Sequence, residues 1–203
     1  MKPQNYVVFQ SPSQQVPYTF LYPADWQLRE TVDKERVKIF IAGPRNQEDT
    51  YTVAFTVRIR SASAQKPEGV LFDFLDRFQQ MPGFQEIGRS SGMVAGQPAL
   101  EVELSYSMPL PLNSANPQMK TIRERYILFE FDDSLIELIY AAPDDTYDAW
   151  LPDFRTLVQT FVLPENHGDE AYHSLVGVAE AVPTASLRES AAGYEVGGGK
   201  DGK

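Results

Sequence analysis

Cysteine is absent from the 203 residues, which excludes disulfides, thiolate nucleophiles and every cysteine-ligated metal or iron–sulfur site. Histidine is nearly absent: His167 and His173 are the two present, and both follow the last apolar segment. A histidine general base or histidine-built metal site would therefore have to come from the C-terminal end. No run approaches the roughly 18 continuous apolar residues that a membrane-crossing helix needs. The opening residues, Met1 to Tyr6, show no apolar stretch of signal-peptide length, so as given the sequence is expected to be cytoplasmic. Positive charge is scarce as well. Eighteen Lys and Arg against 28 Asp and Glu leave a net charge of −10, which argues against a phosphate-tracking surface, because nucleic-acid affinity rests on Lys and Arg neutralising phosphates. No nucleic-acid partner, cofactor or metal is expected.

What is present is a long apolar part. From Asn5 to about Leu163 the chain is dense in Val, Ile, Leu, Phe and Tyr, with alternation near period two, the mark of half-buried strands. In Tyr51 to Arg60, Val53, Phe55, Val57 and Ile59 oppose Thr52, Ala54, Thr56 and Arg58. In Leu100 to Tyr106, the even-numbered apolar residues oppose Glu101, Glu103 and Ser105. Further strands are expected at Tyr6 to Gln10, Tyr18 to Tyr22, Trp26 to Glu30, Val37 to Ala42 and Phe84 to Arg89. Thr121 to Phe131 and Leu135 to Ala141 flank a tight hairpin at Asp132-Asp133-Ser134.

Two segments switch to the helical period. After Pro67, Val70, Leu71, Phe74, Leu75 and Phe78 form an apolar stripe that ends at Met81-Pro82-Gly83. After the Asp144-Asp145 start signal, Tyr147, Trp150, Leu151, Phe154, Leu157, Val158 and Phe161 form a second, with Pro152 inside it. That helix is expected to be regular from about Leu151. Strands and helices without βαβ repetition predict an α+β domain, an antiparallel sheet flanked by helices, over residues 1–164. Residues 165–203, rich in Gly, Ala, Ser and Glu, are expected to form a flexible acidic tail: three Lys or Arg against seven Asp or Glu give it a net charge of −4.

Polar groupings have structural explanations. Asp132-Asp133 and Asp144-Asp145 sit where a turn and a helix start call for acids. His167, Asp169, Glu170 and His173 are metal-ligand types but fall in the tail. Arg123 and Arg125 alternate on one strand and Glu101 and Glu103 on another, so pairing of those strands would create a cross-strand charge ladder. Gly88, Gly92 and Gly96 lack the Gly-Lys-Ser/Thr ending of a phosphate loop, and Gly92 and Gly96 are expected to shape a turn.

Taken together, Phe20-Leu-Tyr22-Pro23-Ala-Asp25-Trp26, the helix ending in Pro82-Gly83, the Gly96-Gln-Pro98-Ala99 turn and the closing Phe154-Arg-Thr-Leu157-Val158-Gln-Thr160-Phe161 resemble the PsbP-like family. This is the fold of a photosystem II accessory protein, shared with the yeast Ran-binding protein Mog and with bacterial secretion chaperones. The resemblance spans Tyr6 to Leu163. It implies an α/β/α sandwich whose members organise other proteins without chemistry, and it offers no catalytic residue to carry over.

The functional expectation is a non-enzymatic accessory or assembly protein that binds a protein partner through one sheet face, the Pro-rich loop from Met108 to Met119, or the tail. Leu110 and Leu112 in the loop and Leu175, Val176 and Leu187 in the tail are the candidate contacts. The alternative is a chaperone or carrier for a hydrophobic ligand or transmembrane segment. It would need a groove of Leu, Phe and Met on an open sheet face.

Overall fold

The computed structural model describes residues 5–11, 17–33, 36–46, 48–62, 65–112 and 114–164. Along the chain it has strands β1 (Tyr6–Gln10), β2 (Thr19–Pro23), β3 (Gln27–Asp33), β4 (Arg36–Arg45) and β5 (Thr52–Ser61), then helix α1 (Pro67–Gln79). Strands β6 (Gln85–Val94), β7 (Gln97–Leu110), β8 (Gln118–Phe131) and β9 (Ser134–Pro143) follow, and helix α2 (Asp144–Gln159) comes last. Seven strands make one sheet in the order β3-β4-β5-β9-β8-β7-β6, and β1 and β2 form a separate two-stranded sheet. Every pairing is antiparallel, as chains of hairpins dictate. The β8–β9 hairpin turns at Asp132 and Asp133, with Phe131 paired to Ser134 and Asp132 at φ 50°. An Asp tolerates that left-handed backbone better than a bulky residue would.

Because side chains alternate across a strand, the sheet buries residues on both faces and the domain has two cores. On one face Phe55, Val57, Phe129, Leu138 and Tyr140 pack under α2 and the β1–β2 hairpin, against Phe20, Phe154 and Phe161. On the other face Val102, Leu104, Tyr126 and Leu128 pack under α1, which contributes Val70, Leu71, Phe74 and Leu75. Phe74 stacks on Tyr126 with ring centroids 4.0 Å apart. The first layer draws its parts from the two ends of the described chain. Thr19 and Val162 exchange backbone hydrogen bonds of 3.1 and 2.9 Å, the Leu21 N–H donates to Thr160 Oγ1, and the Tyr6 hydroxyl donates to Asp153 Oδ1 at 2.6 Å.

The expected elements are all present, with two corrections. Helix α2 is regular from Asp144 rather than from Leu151, and Pro152 lies inside it. Proline removes one N–H, but Pro152 and Asp148 are both exposed, so the carbonyl left without its helical donor faces water rather than core. Asp144 and Asp145 in the first turn suit the helix dipole, and buried Tyr147 anchors that turn. The second correction is Gly92, which lies within β6 opposite Ala99. The turn is made by Ala95 and Gly96, at φ 50° and 76°.

Candidate functional site: a basic groove beside helix α1

The strand pattern that builds the α2-side core also builds this site. Val37, Ile39 and Ile41 of β4, and Val57 and Ile59 of β5, point to the α2 side, so Arg36, Lys38, Arg58 and Arg60 must point to the other face. Helix α1 packs on β7 and β8 and leaves this part of the sheet without a helix over it. The result is a groove of about 750 Å³ with β4 and β5 as its floor and Val70, Asp73, Asp76 and Arg77 of α1 along one wall. Arg36, Lys38 and Arg58 are exposed and Arg60 is half-buried.

The register sets like charges face to face: Arg36 stands opposite Arg60, and Lys38 opposite Arg58. Such pairs destabilise a sheet, so they call for compensation. Glu137 of β9, directly across from Arg58, supplies part of it. The Arg60 Nε–H donates to Glu137 Oε1 at 2.9 Å and Arg58 reaches Oε2 at 3.4 Å. Asp33, at the end of β3, faces Arg36 in the register. Even so, five cations line the groove against three carboxylates, in a chain whose overall charge is −10.

A second carboxyl lies deeper on the same face. Glu124 of β8 is buried, and its Oε2 accepts a hydrogen bond from the Tyr106 hydroxyl at 3.1 Å. Burial raises the Glu124 carboxyl from its ordinary value to about 7, outweighing the opposite pulls of the Tyr106 hydrogen bond and the Arg58 charge.

The expected ladder of Arg123, Arg125, Glu101 and Glu103 forms on the α2 side. Arg123 and Arg125 both donate to Glu103, Arg125 pairs with Glu101 at 3.1 Å, and Arg123 lies over the Tyr147 ring at 4.1 Å with Asp148 beside it. Here Glu101 and Glu103 of β7 pair with the two guanidinium groups and Asp144 and Asp148 of α2 stand beside Arg123, so acids match the cations, though the buried Nε of each arginine makes no hydrogen bond. In the groove the cations outnumber the acids.

Leu110 is buried at the end of β7 and belongs to the core under α1, whereas Leu112 is exposed in the short connection before β8. The loop expected from Met108 to Met119 is therefore corrected to a shorter one, with Leu110 outside it: β7 and β8 extend their pairing to Leu110 and Gln118, because Leu110 completes the apolar face of its strand. Leu175, Val176 and Leu187 lie outside the described residues. The groove residues escaped the sequence reading because their opposition depends on the β4–β5 register. The alternation of Arg36 with Lys38, and of Arg58 with Arg60, was the available signal.

No family model matches the chain, and no curated protein does. Solved structures similar to it include LpqN, involved in cell envelope biogenesis of Mycobacterium tuberculosis, at 17% identity and TM-score 0.48, over 80% of this chain and 86% of that one. The solution structure of cyanobacterial PsbP from Synechocystis aligns at 16% identity and TM-score 0.47, over 79% and 95%. The Saccharomyces cerevisiae Ran-binding protein Mog1p aligns at 12% identity and TM-score 0.46, over 88% and 94%.

Proposed function

We propose that this chain is a non-enzymatic accessory protein that binds a protein partner through the sheet face over β4 and β5. The observation that carries this reading is the direct opposition of Arg36 to Arg60 and of Lys38 to Arg58 on a face that α1 leaves open. A sheet gains nothing in stability from such pairs, whereas a bound anionic surface relieves their repulsion and draws on it for affinity. Guanidinium groups grip carboxylates through paired hydrogen bonds but are poor proton-transfer groups, so the floor is suited to holding rather than to reacting. A floor spread over two strands and open to solvent fits a protein surface better than an enclosed small ligand. A carrier of hydrophobic ligands would need Leu, Phe and Met there, and the floor presents Arg and Lys instead.

The test is affinity capture from native extract, followed by calorimetry with the purified partner. It uses the parent chain, an Arg36→Glu/Lys38→Glu double variant and Leu112→Ser, all matched first for circular dichroism and thermal midpoint. Arg36 and Lys38 are exposed, so the double variant is expected to fold. Binding should be lost in the double variant and kept in Leu112→Ser. The reverse pattern would move the interface to the loop.

A further inference from the structure

The spacing of the groove cations carries the reading one step further and rests on it: the groove being the partner face. Along β4, Arg36 and Lys38 are two residues apart, and along β5 so are Arg60 and Arg58. The floor is thus two rungs, each a pair of cations facing each other, separated by roughly 7 Å, twice the rise per residue of a strand. An extended peptide has the same repeat, with its residues i and i+2 projecting from one side.

We propose that the segment the groove binds is an extended peptide with Asp or Glu at alternate positions, one carboxylate on each rung. Adjacent acids would point to opposite sides of such a peptide, so only half of them could reach the floor. The α1 wall sharpens the choice. Asp73 and Asp76 outnumber Arg77 along it, so the wall carries a net negative charge while the floor is net positive, which favours a peptide lying on the strand floor with its acids directed at β4 and β5. The overall charge of −10 does not oppose this at short range. At physiological ionic strength charges beyond about 8 Å are largely screened, so the peptide responds to the local cations.

Fluorescence anisotropy with two synthetic ten-residue peptides of the same composition tests the inference, using the full chain. One peptide alternates Glu and Ser; the other runs Glu-Glu-Ser-Ser-Glu-Glu-Ser-Ser-Glu-Ser, in which no two Glu stand two residues apart, so it can set only one carboxylate at a time on the two rungs. The alternating peptide should bind about tenfold more tightly, and an Arg36→Gln/Lys38→Gln variant should lose about tenfold of that affinity, the scale of two exposed ion pairs. Equal binding of both peptides, weakened in the variant, would overturn the spacing rule while leaving the groove reading in place. If neither peptide binds, both are overturned. A synthetic 165–203 peptide that displaces the alternating peptide at equal concentration would also overturn it, making this chain's own acidic segment the occupant.

Discussion

The indole of Trp26 covers the α-carbon of Gly43 so closely that a Cβ there would stand 2.6 Å from Cζ2 and 2.7 Å from Cε2. The ring cannot easily retreat, because it also meets Phe55 at 4.4 Å and Trp150 at 5.6 Å between centroids. Gly43→Ala is therefore expected to cost about 1–3 kcal/mol, as overpacking does, in a urea titration monitored by Trp fluorescence. An unchanged midpoint would mean that the indole is free to shift and that Gly43 is not what seats it.

The buried carboxyl of Glu124 makes stability depend on pH in a stated direction. Its folded value, about 7, lies above its ordinary 4.5, so the folded state holds the proton more tightly than the unfolded chain. The cost of burying this group is absent below pH 4.5, grows as pH rises through the interval, and is complete above pH 7. Glu124→Gln, which stays neutral, should be more stable than the parent at alkaline pH by up to about 3 kcal/mol, with the gap closing on acidification. Denaturant titrations across this range decide the matter. A gap of the same size at every pH would show that ionisation is not its source.

Glu137 holds Arg58 and Arg60 together, and its side chain is 7% exposed against 46% and 28% for the two arginines. Glu137→Gln should cost about 1–3 kcal/mol, between the values for exposed and buried pairs, and the cost should shrink at high salt as the remaining cations are screened. The same variant adds one net positive charge to the groove, so its affinity for the alternating acidic peptide should rise while its stability falls. If both fall together, the floor is held in shape by Glu137 and does not merely share its charge.

Much of this architecture was legible in the residues. Val53, Phe55, Val57 and Ile59 declare their strand by period alone, and the stripe of Val70, Leu71, Phe74 and Leu75 declares α1. The ladder of Glu101, Glu103, Arg123 and Arg125 could be anticipated because both strands carry their charges at alternate positions. Strand order could not be read the same way. Nothing local reveals that β5 pairs with β9, whose residues lie far along the chain, and that pairing brings Glu137 to Arg58 and Arg60. Leu110 shows the opposite difficulty. Surrounded by prolines, it reads as a loop residue, yet tertiary packing under α1 extends its strand and buries it. In α2, Pro152 signals a helix boundary to any local rule, and the buried anchor at Tyr147 overrides it.

The two faces of the sheet also differ in when they can be completed. The core under α1 draws on residues from Tyr51 to Ala141, whereas the opposite core needs Phe9, Tyr18 and Phe20 together with Phe154, Phe161 and Leu163. During synthesis the β1–β2 hairpin therefore leaves the ribosome before the other described elements and must wait for almost the whole domain before its cover arrives. Until Leu163 emerges, the aromatic residues of the hairpin and the sheet face beneath it remain open to solvent, and this interval is when the nascent chain is most exposed to aggregation or to capture by a chaperone.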